Sequence, residues 1–253
     1  MNVLVCIKRV PATGSRITLT DDQLEIDTRH LGFTVSPHEE CAVEEAIRLT
    51  ETHDGTSVVL TLGPAAAIEQ LQDALAMGIA RAVLLETDGS PWDPIATADA
   101  IVEAVRADDV VFDLYLLGNE AADTGDHQVG VRVATALGLP CVTGVKGLEV
   151  RGATAIARRE ASGGVEVFEL PLPAVVTVKE GINLPRFASV PGRIKARKKE
   201  IARRSPTPRV TTIETIRLKL PLEQASEVRI LGNGPEAASA VVDLLQQRGV
   251  VAR

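Results

Sequence analysis

Short apolar runs alternate with amphipathic stretches over the first 140 positions of the chain. Residues 3–7, 57–62, 81–85 and 112–117 are almost unbroken apolar runs, interrupted in the last by Asp113. Their length and content predict parallel strands buried on both faces. Between them the period becomes helical. Ala42, Val43, Ala46, Ile47 and Leu49 share one face; Ile68, Leu71, Ala74 and Leu75 share another. Ile95, Ala98, Ile101, Val102 and Val105 form a third, and Val129, Val133, Ala136 and Leu137 a fourth. Ser36-Pro37-His38-Glu39 predicts a helix start with a first-position proline and a capping box. Pro64 and Asp93-Pro94 open the next two helices, while Gly78 and Gly138 stand where helix C-terminal glycines belong. The alternation predicts an α/β fold: a doubly wound, mostly parallel sheet with right-handed crossovers.

After Pro140 the period falls to two. Residues 148–151, 154–159 and 165–170 read as short strands of a β-meander, with turns at Gly152-Ala153 and Ser162-Gly163-Gly164. Residues 174–178 form another fully buried strand. Residues 16–19 and 24–27 flank the turn Thr20-Asp21-Asp22-Gln23 as an exposed hairpin. Residues 179–192 are irregular, with two prolines, and leave Ile182, Leu184, Phe187 and Val190 without a regular element to bury them. A basic run, residues 193–204, follows and is broken by Ser205-Pro206-Thr207-Pro208. From Val228 a strand leads through Gly232-Asn233-Gly234-Pro235 into a helix carrying Ala238, Val241, Val242, Leu244 and Leu245. The expected division is an α/β domain over 1–201 and a C-terminal extension over 202–253.

With 253 residues the chain suffices for one large domain and an appendage. Apolar residues make up 45% and aromatics 2%, so the core is built of Val, Leu, Ile and Ala, which favours a sheet covered by helices over an aromatic-rich sandwich. A net charge of −7 argues against a general nucleic-acid binder. No run of 18 apolar residues predicts a membrane span. The N-terminus reads as a strand rather than a signal peptide, and the three cysteines lack disulfide or zinc spacing. A reducing, cytoplasmic compartment is expected.

The chemistry concentrates where residues 112–117 give way to a polar loop from Gly118 to Gln128 and then a helix. In open α/β sheets ligands sit outside the carboxyl ends of strands, and a helix start offers free N–H groups to a phosphate. There is no GxGxxG fingerprint, no nucleophile–base arrangement and no metal-ligand spacing. His38 and His127 read as contacts to phosphate, or as polar surface residues. Glu44-Glu45 read as a solvated helix face, and Cys6 and Cys41 as small buried residues. The basic run reads as a solvated face or as a surface that steers acidic proteins.

Several stretches together resemble the beta subunit of electron transfer flavoprotein. They are Val5-Cys6-Ile7-Lys8-Arg9-Val10, Ala42-Val43-Glu44-Glu45-Ala46, Gly63-Pro64 and Ala74-Leu75-Ala76-Met77-Gly78. The most telling are Leu172-Pro173-Ala174-Val175-Val176-Thr177 and Asn183-Leu184-Pro185-Arg186-Phe187-Ala188 with Lys195-Ala196-Arg197-Lys198-Lys199. The resemblance runs in register over about residues 2–201. It implies an electron carrier, not an enzyme, paired with an alpha subunit that holds most of the redox FAD. The chain itself would hold AMP, or a second FAD. Electrons would come from flavin dehydrogenases and leave to a quinone oxidoreductase or similar acceptor.

By match to the family, Cys6 touches the adenine, Val59 and Leu62 wall its pocket, and Ser36, His38 and Glu39 face the nucleotide and flavin edge. Gly118, Asn119, Asp123, Asp126, His127, Gln128 and Val129 belong to the phosphate loop. Thr13 lies beside the alpha-subunit flavin. Val190 is the apolar anchor of a partner-recognition loop over 182–199, flanked by Lys195 and Lys198. The AMP-binding form carries Thr where Val129 stands, and the bifurcating form shares only the ends of Asp123-Thr124-Gly125-Asp126-His127-Gln128-Val129-Gly130. The competing reading is a stand-alone adenine-nucleotide-binding or nucleotide-hydrolysing protein of the same superfold. Its Ser-Gly-Gly-x-Asp loop after the first strand is replaced here by Lys8-Arg9-Val10-Pro11-Ala12-Thr13.

Overall fold

The computed structural model describes residues 1–12, 14–209, 213–221 and 228–251. The chain divides into two compact units, Met1–Arg217 and Leu218–Arg253.

The first unit opens with β1 (Val3–Ile7) and β2 (Arg9–Pro11), the latter paired antiparallel with β3 (Phe33–Val35). Then come α1 (Pro37–His53), β4 (Ser57–Gly63), a 3-10 turn over Ala65–Ala67, α2 (Ile68–Met77), β5 (Arg81–Glu86), α3 (Pro94–Arg106), β6 (Leu114–Gly118) and α4 (Val129–Leu137). The meander β7 (Cys141–Arg151), β8 (Thr154–Ala161) and β9 (Gly164–Pro171) follows. Next are β10 (Ala174–Val178), α5 (Val190–Ala196) and β11 (Ile201–Arg204).

The main sheet has the order β11-β5-β4-β1-β6-β10-β7-β8-β9. Pairs from β11 to β7 are parallel; β7–β8 and β8–β9 are antiparallel. This is the expected doubly wound fold. Every residue of β1 and β10 is buried because helices cover both faces. Val3, Val5, Val59 and Leu116 pack with α1, α2 and α5; Leu4, Cys6, Leu60 and Leu117 pack with α3 and α4. Asp93 Oδ1 caps α3 by accepting from Ala96 N at 2.7 Å. Gly138 closes α4 in the left-handed region, φ 69°.

Some expectations fail locally. The hairpin shrinks to one antiparallel bridge, Leu19–Ile26, since a two-stranded ribbon without an apolar face to bury is marginal. Ile95 is exposed in the first turn of α3, and in α4 Ala134 is buried in place of Ala136. In the second unit, Val228 and Ile230 are exposed and, among the described residues, form no strand. There a 3-10 turn over Pro235–Ala237 leads into α6 (Ala238–Gln247), which buries none of its residues within the unit.

The basic run is largely built into the fold. Arg203 pairs with Glu86, Arg204 with Asp108 and Arg193 with Asp73, and Lys199 Nζ donates to the carbonyls of Ile79 and Ala80. Lys195 and Lys198 stay exposed. The irregular stretch ahead of α5 is tied to α1. Arg186 donates to Glu44 and Glu51 at 2.7–3.1 Å, and Asn183 Nδ2 donates to Glu45 at 2.9 Å. Glu44 and Glu45, expected on a solvated face, are therefore buried under these partners.

α4 lies close against β10 because Gly130 has no side chain: a Cβ there would overlap the Thr177 methyl group. Such overpacking costs about 1–3 kcal/mol, against a helix-propensity gain from alanine of at most about 1 kcal/mol. Gly130→Ala is expected to lower the urea unfolding midpoint, and an unchanged midpoint would show that α4 can move away freely.

Candidate functional site

The carboxyl ends of β1, β4 and β6 open into a cleft of about 350 Å³. The order of strands runs outward from β1 through β4 and β5 on one side and restarts at β6 on the other. The cleft therefore occupies the switch point of the sheet, where no crossover covers the strand ends. Cys6, Leu60, Leu62, Trp92 and Leu117 form its apolar wall. Loop 119–128 and the start of α4 form its polar wall.

A continuous hydrogen-bond chain holds that loop. Gly144 N–H donates to Thr177 Oγ1 at 3.2 Å, and Thr177 Oγ1 donates to Asn119 Oδ1 at 3.0 Å. Asn119 Nδ2 donates to His127 Nδ1 at 3.1 Å. With Nδ1 accepting, the imidazole proton sits on Nε2, which lies 2.8 Å from Glu120 Oε2. The other oxygen of Glu120 lies 3.5 Å from His38 Nε2, and His38 Nδ1 accepts from Glu180 N–H at 3.0 Å. Glu120 is thus gripped by two imidazoles whose tautomers are fixed from behind. His127 adopts φ 55°, a left-handed conformation that a histidine tolerates better than most residues.

Asp123 anchors the loop to β1. Its carboxylate accepts from Lys8 Nζ at 2.8–2.9 Å and from Thr124 N–H at 2.8 Å. Asp126 is exposed and lines the cleft. Gln128 precedes α4 but does not cap it; its Oε1 accepts from Arg132 at 2.7 and 3.1 Å. The first-turn N–H groups after Gln128, from Val129 and Gly130 onward, have no intrahelical acceptor and border the cleft.

Glu39 lies beneath the loop. Its Oε2 accepts from Lys8 N–H at 2.7 Å; the carboxyl also keeps the Ser36 N–H half of the expected capping box, while Ser36 Oγ caps nothing. Gly118 makes room for it: a Cβ there would lie 2.6 Å from Glu39 Cγ. Burial pushes the Glu39 carboxyl up to about 8, against the pull of the Lys8 N–H, so it is largely protonated at neutral pH. Burial, with Glu39 as a lesser cause, pushes the Cys6 thiol up to about 12, which removes it as a nucleophile.

Of the residues singled out in the sequence, Cys6, Glu39, Leu62, Gly118, Asn119, Asp123, Asp126, His127, Gln128 and Val129 all line this cleft. The Val59 side chain points to the opposite face of β4, into the core. Ser36 is fully buried, its Oγ 3.4 Å from Glu120 O. His38 borders a shallower depression with Pro37 and the loop. Thr13 lies outside the described residues. The reading of the sequence missed Arg9, Thr87, Ser90 and Trp92 as cleft residues. Arg9 follows the end of β1, and Thr87 the end of β5, the positions where ligands of such sheets are met. Trp92, the one tryptophan of the chain, stands in a loop where a buried aromatic was due a reason.

A second surface lies at the end of α1. Leu184, Phe187 and Val190 are 91%, 98% and 72% exposed, on the stretch fastened by Arg186 and Asn183. Lys195 and Lys198 stand beside them. Among the described residues no group of His, Cys, Asp or Glu could hold a metal ion, and no helix is long and apolar enough to cross a membrane.

Residues 23–208 match the family model described as the electron transfer flavoprotein domain. The chain is similar to proteins named electron transfer flavoprotein subunit beta. With that of Bacillus subtilis it shares 34% identity over 261 aligned positions, covering 99% of this chain and 100% of the relative. With that of Syntrophomonas wolfei the identity is 35% over 231, covering 91% and 90%. With that of Bradyrhizobium diazoefficiens it is 35% over 206, covering 81% and 82%.

The Glu39 carboxyl gives a signature in stability. Its pKa rises from 4.5 to about 8 in the folded chain, so the folded state keeps a proton that the unfolded state releases. Its contribution is full below pH 4.5 and is lost as pH rises toward 8. Glu39→Gln is expected to flatten that part of the melting-temperature profile between pH 5 and 8 and to melt above the original protein at the alkaline end. Parallel profiles for the two proteins would refute a buried neutral acid.

Proposed function

Because the chain belongs to the electron transfer flavoprotein family, as a beta subunit, we propose that it pairs with an alpha subunit to pass electrons from flavin dehydrogenases to a quinone oxidoreductase or similar acceptor. The observation that carries this reading is a cleft whose thiol and imidazoles, among the described residues, are not free to react. The Cys6 thiol is buried with its pKa raised, and His38 and His127 are committed to Glu120. Such a cleft suits a ligand that is held rather than transformed. Redox chemistry then belongs to an FAD held largely by the alpha subunit.

The residues fit a structural adenine nucleotide. The apolar wall of Cys6, Leu62 and Trp92 suits a base, and the free N–H groups at the start of α4 suit a phosphate. A volume of about 350 Å³ is at the lower end for ligand pockets, which favours AMP over a second FAD. Exposed Val165 and Val167 on β9 add apolar surface that an alpha subunit would cover.

The exposed Leu184, Phe187 and Val190 suit a dehydrogenase contact, already fixed to α1 so that little freedom is lost on docking. Truncating a central apolar anchor weakens binding by about 1–3 kcal/mol, roughly tenfold to a hundredfold. Lys195 and Lys198 act on encounter instead, within a screening length of about 8 Å at physiological salt. In the intact heterodimer, Val190→Ala is expected to raise KM for a donor dehydrogenase at every ionic strength with flavin and AMP content unchanged. Lys195→Ala with Lys198→Ala is expected to slow transfer mainly at low salt. A Val190→Ala heterodimer that accepts electrons as well as the original removes the docking assignment.

A further inference from the structure

Two cations stand side by side at the end of β1, and they are treated differently. Lys8 is committed, its Nζ held by Asp123 and Thr124. Arg9 is not. Its guanidinium carbon lies over the Phe33 ring, 3.3 Å from the centroid, and the residue lines the cleft. Its Nε is buried without a hydrogen-bond partner, and among the described residues no carboxylate lies within ion-pair distance of it. Stacking on an aromatic face occupies the plane of a guanidinium and leaves the N–H donors at its edge free. Nε is covered by the chain itself, but among the described residues the two Nη groups have no hydrogen-bond partner and are not covered, so an acceptor from outside the chain can reach them.

The charges around the cleft say which acceptor. Lys8 and Asp123 neutralise each other. Glu39 is largely protonated at neutral pH. Glu120 is bound between His38 and His127, and Asp126 is exposed to solvent. Glu69, on α2, favours the charged form of Arg9, while burial, the larger effect, opposes it. Among the described residues, Arg9 is therefore the cleft-lining cation with no ion-pair partner. The geometry points to Arg9 as a phosphate-binding residue, its planar N–H edge taking an anionic oxygen of the bound nucleotide beside the amides of α4. The assignment rests on the cleft being a nucleotide site, and it adds to that site a side chain that selects phosphorylated over unphosphorylated ligands.

The test uses the nucleotide-stripped heterodimer, with AMP and adenosine titrated separately. The original protein is expected to prefer AMP. Arg9→Met keeps an unbranched apolar side chain of similar reach against Phe33 and removes the charge; it should weaken AMP roughly tenfold to a hundredfold and leave adenosine unchanged. Arg9→Lys, which keeps the charge without the planar edge, should fall between them and serves alone should the methionine variant not fold. A variant that binds AMP as tightly as the original overturns the assignment, as does an equal loss for AMP and adenosine, which would mark a structural role. Dissociation of the heterodimer in sedimentation with the AMP preference intact would also overturn it and hand Arg9 to the partner chain. An original protein that takes up neither compound fails the nucleotide reading itself, and this assignment with it.

Discussion

The parallel pairing of β1 with β6 is the constraint on which the rest depends. It sets Val3 opposite Leu114 and Cys6 opposite Leu117, in adjacent strands separated by most of the first half of the chain. Crossovers from β1 through β4 to β5 build the sheet in one direction; the return through α3 to β6 makes it grow in the other. Right-handed connections then put α1 and α2 on one face and α3 and α4 on the other. The chain leaves the ends of β1 and β6 in divergent directions, and a gap must open between them. The cleft is thus a consequence of topology before any residue specialises it.

What specialises it is the fixing of an irregular loop by groups drawn from four elements and the residues that follow them. β7 and β10 hold Asn119 through Thr177; Glu180 orients His38 from the end of β10; α1 supplies His38 and Glu39; β1 supplies the Lys8 amide and ammonium. Each bond contributes only about 0.5–1.5 kcal/mol net, but together they leave the loop few alternatives. Two glycines make this possible by what they lack. Gly118 leaves space for the Glu39 side chain, and Gly130 lets α4 approach Thr177. The cost is a carboxyl held in its neutral form by burial and a histidine in a left-handed conformation.

The central strands and the helices α1 to α4 were legible in the sequence because burial on both faces writes itself as unbroken apolar runs, and amphipathic helices as a 3.6-residue period; β2, β3, α5 and β11, short and partly exposed, carry neither signal. The loop was legible as polar residues between a strand and a helix, and its place at a strand end follows from the fold class. The direction of individual side chains was not. Val59 and Leu62 sit on one strand, yet the alternation of side chains turns the first into the core and the second into the cleft. Ser36-Pro37-His38-Glu39 has the pattern of a capping box, but Glu39 also finds the Lys8 amide, a partner distant in sequence that no local pattern encodes. The basic run was misleading in the same way: Arg203 and Arg204 look solvated in sequence and instead meet Glu86 and Asp108 across the edge of the sheet.

One helix joins the two surfaces that matter. The first turn of α1 carries His38 and Glu39 to the cleft and its loop, and the turns after it carry Glu44, Glu45 and Glu51 to the stretch that bears Leu184, Phe187 and Val190. Arg186 bridges Glu44 and Glu51, about two helical turns apart, so the exposed apolar residues are indexed to the helix rather than to a free loop. A helix of 17 residues is about 25 Å long and does not shorten under load. The distance between the cleft and the exposed apolar stretch is therefore set by a rigid body shared by both, and the glutamates that look from the sequence like a solvated face are the groups that transmit it.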